Sequence, residues 1–98
     1  MTHNVYFWLK ENQNLEEFET MALKLTKIDI VASGSLGKNA PTPSREVTDK
    51  SFTYHLSLNF INLVNHDLYQ THPEHKEFVT SCNQMWERVI VYDSETIN

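Results

Sequence analysis

The chain has very little of the residue type that builds disulfide frameworks and thiolate metal clusters. Among its 98 residues there is one cysteine, Cys82, which therefore has no partner within the chain for a disulfide or a multi-cysteine metal site. Only two glycines and three prolines occur, which excludes a collagen-like or low-complexity chain. The sequence fits a reducing compartment, with Cys82 as a buried, inert thiol.

Basic residues and long apolar runs are also scarce. Eight lysines and arginines face thirteen aspartates and glutamates, and the formal charge is −5. Such a charge repels both a phosphate backbone and an anionic membrane surface, so we expect no nucleic acid and no membrane partner. The apolar run at residues 5–9 is too short for a signal peptide or a membrane span. We therefore expect a cytoplasmic protein.

Apolar residues make up 40% of the chain, and the length suits one hydrophobic core, so we expect a single domain over residues 1–98. Hydrophobic periodicity divides this domain into strands and helices. The predicted elements are a strand at 5–9, a helix at 15–26, a strand at 28–32, a strand at 52–60, a helical segment at 64–86 interrupted at Pro73, and a strand at 89–92. A flexible surface loop is predicted at about 34–50, where glycine, serine and proline collect.

The order strand, helix, strand, strand, helix, strand predicts an α+β protein with the ferredoxin-like βαββαβ fold. Its four-stranded antiparallel sheet would carry two helices on one face. The opposite face would hold Tyr6, Trp8, His55, Ser57, Ile90 and Tyr92. An exposed apolar patch of this kind is unusual on a monomer, and a two-fold partner is the simplest cover. We therefore expect a homodimer that packs sheet against sheet, with these six residues at the interface.

Several side chains that can transfer protons fall on the helix-covered side of the predicted sheet. Helical spacing brings Tyr69, His72 and His75 close to one stripe, and His3 and Tyr54 could approach them from the strands. A histidine exchanges its proton near neutral pH, and a tyrosine hydroxyl can hold a carbonyl oxygen, so together they could support proton abstraction next to a carbonyl. The predicted pocket is lined by His3, Val5, Phe7, Phe18, Met21, Tyr54, Leu56, His72, Val79 and Trp86.

Structural roles compete with these chemical ones. His72 stands just before Pro73 at the helix break, where capping of free backbone groups would explain it. His75 could equally be a core histidine held by Tyr69 or by a backbone carbonyl. His72 and His75 could form a metal site with Glu74 and His3 nearby, but the intervening proline distorts the helical geometry. We expect no metal and no cofactor.

Three segments of the sequence resemble the stress-responsive α/β barrel domain family, called Dabb, and the similarity extends over nearly the whole chain. The segments are Tyr69-x-x-His72-Pro73-x-His75, Trp86-Glu87-Arg88-Val89 and Val91-Tyr92-Asp93. The resemblance implies a ferredoxin-like protomer that dimerises into an α/β barrel. One enzymatic member, a plant polyketide cyclase, uses a histidine base and a tyrosine for an aldol-type ring closure. By this resemblance, the two catalytic roles would fall to His75 and Tyr69.

Two functional hypotheses follow. The first is a homodimer that binds a small hydrophobic or aromatic carbonyl ligand without catalysis, and the acidic, motif-poor sequence favours it slightly. The second is a cofactor-independent lyase or cyclase that acts on a carbonyl, polyketide-like substrate, with His75 as base and Tyr69 orienting the oxygen. The loop at 34–50 could gate either kind of site.

Overall fold

A computed structural model describes residues 1–98 and contains four strands and three helices. In chain order they are β1 (Thr2–Leu9), α1 (Leu15–Leu25), β2 (Ser33–Gly37), β3 (Tyr54–Asn59), α2 (Leu63–Gln70), α3 (Pro73–Cys82) and β4 (Trp86–Ser94). The strands form one antiparallel sheet in the order β2-β3-β1-β4. The ferredoxin-like fold predicted from the sequence is therefore confirmed.

The two central strands alternate apolar and polar residues, and this alternation assigns their faces. Val5 lies opposite Leu56, and Phe7 lies opposite Tyr54, on the side of the sheet that the helices cover. The core below this side is fully apolar. It consists of Val5, Phe7, Phe18, Ala22, Leu25, Ile28, Val31, Tyr54, Leu56, Leu58, Phe60, Tyr69, Phe78, Cys82 and Met85.

Each helix begins at a residue whose side chain accepts a hydrogen bond from a free backbone N–H. Asn14 caps α1, Asn62 caps α2 and His72 caps α3, the last through its ring nitrogen Nδ1 at 3.1 Å from the Glu74 amide nitrogen. Pro73 takes the first position of α3, where its missing N–H costs nothing. The break in the helical segment is therefore where the sequence predicts it.

The second strand lies further along the chain than predicted. Residues 28–31 form a turn in which the Val31 amide donates to the Ile28 carbonyl over 2.9 Å. The buried residues are Ile28 and Val31, three apart, whereas a strand would bury every second residue. The apolar side chains of this stretch therefore anchor a turn against the core, and β2 follows it. Consequently, the connecting loop starts after Gly37 and not at Gly34.

The helical segment at 64–86 is shorter than predicted and is divided into two helices, so three helices cover the sheet. α3 ends at Cys82, and Trp86 begins β4, where it pairs with Leu9 across a register shift. β4 is nine residues long, more than twice the predicted strand, and it extends to Ser94. No helix is both long enough and apolar enough to cross a lipid bilayer.

The two glycines of β2 give a matched test of packing beneath this edge strand. A Cβ at Gly34 would stand 2.8 Å from Leu58 Cδ2 and 3.1 Å from Thr26 Cβ, and Leu58 is fully buried and cannot move aside. Gly34→Ala should therefore lower the free energy of unfolding by about 1–3 kcal/mol, as overpacking does.

Gly37→Ala is the control, since its nearest neighbour would be the His55 carbonyl oxygen at 3.9 Å. It should leave stability unchanged or raise it by up to about 1 kcal/mol. Urea denaturation followed by circular dichroism measures both variants. Equal stabilities of the two variants would contradict the packing described for β2.

Candidate functional site

A cavity of about 140 Å³ opens between the helix layer and the sheet, beside β4. Val89 and Val91 lie on the helix-covered side of the sheet, opposite Phe7 and Val5, yet they are 41% and 47% exposed. The helix layer therefore stops short of β4 and leaves a gap. The cavity is lined by His3, Val5, Phe7, Leu25, Leu56, Tyr69, Gln70, His75, Phe78, Val79, Trp86, Val89 and Val91.

His75 is held at the polar end of this cavity by the turn between α2 and α3. Its ring nitrogen Nδ1 lies 3.2 Å from the Gln70 carbonyl oxygen. A carbonyl can only accept, so Nδ1 carries the proton and Nε2 keeps its lone pair. Burial lowers the pKa of His75 below its ordinary value of 6.5 and outweighs the hydrogen bond to Gln70, which raises it; the nearby His3 and His72 lower the pKa further. The ring is therefore neutral near pH 7, with one free acceptor nitrogen.

Tyr69 stands next to His75, with the two ring centroids 4.7 Å apart. The residue is 1% exposed, and this burial raises the pKa of its hydroxyl far above the ordinary range. The hydroxyl therefore stays protonated near neutral pH. The Tyr69 hydroxyl has no hydrogen-bond partner within the chain, and its oxygen remains accessible to solvent. A free donor is thus offered beside the free acceptor of His75.

His3 completes this end of the cavity from β1. It is 4% exposed, its Nδ1 lies 2.5 Å from Asp93 Oδ1, and its ring centroid is 5.9 Å from that of Tyr69. The antiparallel register of β1 and β4 places His3 directly opposite Asp93. The His66 ring packs against His3 from α2 at 5.0 Å. His3 therefore belongs both to the cavity and to a group of charged and titratable side chains behind it.

Eight of the residues predicted for the site lie at the cavity. They are His3, Val5, Phe7, Leu56, Tyr69, His75, Val79 and Trp86. The strand alternation of β1 and β3 and the helical spacing of α2 and α3 bring them together. Trp86 reaches the cavity from the start of β4, since it is not part of the helix in which it was predicted.

Four predicted pocket residues lie elsewhere, each for a local reason. Phe18 is completely buried and stacks on Tyr54, so both rings fill the core below β3. The Tyr54 hydroxyl donates to Glu19 at the surface, and burial together with this bond raises its pKa to about 12. Met21 is partly buried against the core from α1 and borders a surface depression with acidic residues, away from the cavity. His72 serves as the cap of α3 and does not line the cavity.

Five cavity residues were missed by the sequence analysis: Leu25, Gln70, Phe78, Val89 and Val91. The valines were missed as cavity residues because the sequence does not show that the helix layer ends before β4. Asp93 also escaped notice, although a longer β4 paired with β1 would have placed it opposite His3. The sequence analysis did not single out His66, whose side chain is largely buried against His3.

The other face of the sheet carries the aromatic patch predicted from the sequence. Tyr6 stacks on His55 with ring centroids 4.3 Å apart, and it meets Tyr92 edge-on at 6.1 Å. The Arg88 guanidinium lies 4.4 Å above the Trp8 ring. The pairing of the strands puts Ser57 and Ile90 on the same face. No helix covers this patch. The loop before β3 reaches its edge, where Ser51 accepts a hydrogen bond from Trp8 Nε1 over 2.9 Å and Phe52 meets Tyr6 edge-on, but Tyr92 remains 61% exposed.

A family model described as the stress responsive A/B barrel domain, Dabb, matches residues 1–96. The chain belongs to the Dabb family. A Dabb family protein with a ferredoxin-like fold from Mesorhizobium loti is similar over 99% of this chain and 96% of its own, with 24% identity and a TM-score of 0.77. No curated protein sequence matches the chain.

Two further solved structures share the fold of this Dabb protein. Hydroxynitrile lyase from Passiflora edulis is 16% identical, with a TM-score of 0.79 over 99% of this chain and 95% of the lyase. A dimeric protein of unknown function from Bacteroides fragilis is 22% identical, with a TM-score of 0.68 over 97% of this chain and 94% of its own. At these identities the similarity shows the fold alone.

Proposed function

We propose that this Dabb protein is a homodimer that binds a small carbonyl compound in the cavity beside β4. The observation that carries the proposal is the pairing of a free donor with a free acceptor in an apolar space. The Tyr69 hydroxyl would donate to the carbonyl oxygen, and His75 Nε2 would accept from a neighbouring hydroxyl or acidic C–H group. A few convergent polar groups in an apolar cavity are typical of small-molecule sites.

The size of the cavity favours a small ligand. A dry apolar cavity of about 150 Å³ holds a molecule the size of benzene, and drug-sized ligands occupy about 300–1,000 Å³. The 140 Å³ observed here therefore suits one aromatic ring or a short chain with a carbonyl group. A long alkyl-phenolic polyketide would extend past Val89 and Val91 into solvent. This supports a ligand smaller than the substrate of a polyketide cyclase.

The uncovered aromatic patch supports the homodimer. Its side chains are already ordered by stacking with one another, so association would immobilise few free rotamers. Arg88 above Trp8 and the polar ring of His55 suit the mixed composition of an interface. The related fold from Bacteroides fragilis is described as dimeric, which agrees with this proposal.

Acetophenone and ethylbenzene make a matched pair of ligands, since they differ only in the carbonyl group. The protein should bind acetophenone more tightly by about 2–10-fold, the value of one hydrogen bond of about 0.5–1.5 kcal/mol. Tyr69→Phe should remove this preference without unfolding the protein. Isothermal titration calorimetry measures the affinities, and equal affinities in the wild type would contradict the donor role of Tyr69.

A pair of tryptophan substitutions tests whether the ligand binds in the cavity. Val91→Trp should fill the cavity from β4 and abolish the binding of both compounds. Val64→Trp adds the same ring at an exposed position outside the cavity and should leave binding unchanged. If Val91→Trp still bound both compounds, the ligand would have to sit elsewhere.

Glutamate substitutions in the aromatic patch test the dimer. The wild-type chain of 11.5 kDa should sediment as two copies. Tyr92→Glu should give monomer or aggregate, because it buries an unpaired carboxylate in the proposed interface. Trp8→Glu should do the same, because it removes the large ring on which Arg88 lies and puts a charged group in its place. Ile61→Glu changes an exposed residue off the patch and should leave the dimer intact. Analytical ultracentrifugation decides, and a wild-type monomer would exclude the homodimer.

A second candidate function is a lyase that acts on an adduct of a carbonyl compound. The unprotonated Nε2 of His75 is a base that lies beside the hydroxyl donor of Tyr69. A site that only binds its ligand does not require such a base. Nε2 could take the hydroxyl proton of a cyanohydrin; the bond to the cyano carbon would break, cyanide would leave, and Tyr69 would hold the oxygen as the carbonyl forms. The shared fold with a hydroxynitrile lyase makes this substrate class worth testing.

Cleavage of mandelonitrile, corrected for the uncatalysed rate, should depend on pH through His75. Because its pKa is lowered below 6.5, the rate should rise with pH, and the midpoint of the rise should lie below pH 6.5. His75→Gln should lose about 100-fold or more. His72→Asn is the control, since asparagine retains the helix cap. No cleavage above background, or full activity of His75→Gln, would exclude this candidate.

A further inference from the structure

Behind the cavity, two histidines and one aspartate from three different elements lie together. His3 comes from β1, His66 from α2 and Asp93 from β4, and one potential ligand atom of each lies within 4.8 Å of the others. His3 Nδ1 is 2.5 Å from Asp93 Oδ1, and His66 Nε2 is 4.0 Å from Asp93 Oδ2. No other group of three or more histidine, cysteine, aspartate or glutamate side chains in the chain meets this distance.

The hydrogen bonds of His66 fix which of its nitrogens is unprotonated. The Gln70 amide nitrogen lies 3.3 Å from Nε2, and an amide N–H can only donate, so Nε2 carries the lone pair. Nδ1 therefore holds the proton and faces Asp67 Oδ1 at 3.2 Å. A carboxylate on the far nitrogen of the ring is the arrangement that orients metal-binding histidines. To bind an ion beside Asp93, Nε2 would exchange the hydrogen bond from Gln70 for a bond to the metal.

We propose that His3, His66 and Asp93 form a binding site for a divalent transition metal ion, with Zn²⁺ as the ion that fits best. Two imidazoles and one carboxylate are ligands that zinc prefers, and three protein ligands leave one tetrahedral position for water. The site is distinct from the proposed ligand contacts of Tyr69 and His75, and it does not depend on the proposed function.

To accept the ion, the site needs small shifts of its ligands and the release of the Gln70 amide from His66 Nε2. Ligand atoms at about 2.0–2.1 Å from zinc in a tetrahedron are about 3.3 Å apart. Asp93 would therefore withdraw slightly from His3, and His66 would approach both. Asp93 lies near the end of an edge strand, and 42% of its side chain is exposed, so its carboxylate can move. His3 would release its Nδ1 proton on binding the ion.

The surroundings favour a closed site. Phe60 is 2% exposed, and its ring meets both histidine rings edge-on, at 6.3 Å from His3 and 5.6 Å from His66. An apolar wall of this kind limits water at two of the three ligands and strengthens their attraction to the ion. A bound ion would join the first strand, the second helix and the last strand, so binding would add to stability.

Zinc titration of untagged, chelator-treated protein tests the proposal. Calorimetry should show one Zn²⁺ per chain, and Tm should rise by roughly 10 °C at 100 times the dissociation constant. Co²⁺ should give visible absorption bands of tetrahedral intensity. His66→Gln and Asp93→Asn should each weaken binding at least tenfold, provided that circular dichroism shows a folded protein.

His72→Asn is the matched control, because it also removes one histidine but preserves the cap of α3. It should bind zinc as the wild type does. Absence of a one-to-one site in the wild type would overturn the proposal. Binding that survives in both His66→Gln and Asp93→Asn, or that is lost equally in His72→Asn, would overturn it as well, because the ion would then sit at other groups.

Discussion

The constraint on which this structure depends is that its central strand β1 is apolar on both faces. Val5 and Phe7 face the helices, while Tyr6 and Trp8 face away from them. A sheet of this kind must be covered on both faces, but the chain supplies a helix layer for one face and only a loop at the edge of the other. The helix layer buries the first face almost completely under β3 and β1, but it ends before β4. Every feature of functional interest lies where this cover is incomplete: the cavity under β4 and the aromatic patch on the outer face.

Within the cavity, burial sets the protonation states that the proposed chemistry needs. It disfavours the charged form of both His75 and Tyr69, so the imidazole stays neutral and the phenol stays protonated. The backbone carbonyl of Gln70 then selects the tautomer of His75. A base and a donor are thus obtained near neutral pH without a charged residue in the cavity. The charged group, Asp93, lies behind His3, where the end of β4 brings it to the surface.

Much of the fold could be predicted from the sequence, because the periodicities of β1, β3 and α1 are regular and Pro73 marks a helix start. The second strand was misplaced because the buried residues of the turn at 28–31 do not follow the two-residue period of a strand. The pair Tyr69 and His75 could be placed by helical spacing alone. Gln70, His66 and Asp93 could not, since their contribution depends on a backbone carbonyl, on ring packing between elements and on the true length of β4. Phe18 and Tyr54 were misplaced because an aromatic side chain that suits a pocket wall suits a core equally well.

The position of Val89 and Val91 has a consequence for how such proteins diverge. Both side chains border the cavity, yet both are about half exposed and neither belongs to the core. Substitutions there alter the shape of the cavity mouth at little cost in folding free energy, since exposed positions on an edge strand tolerate most residues. Selection for a new ligand can therefore act on these two positions while the scaffold stays constant. A fold whose cavity-bordering residues lie outside the core can acquire many specificities through few mutations. Overall resemblance between relatives then says little about what each one binds.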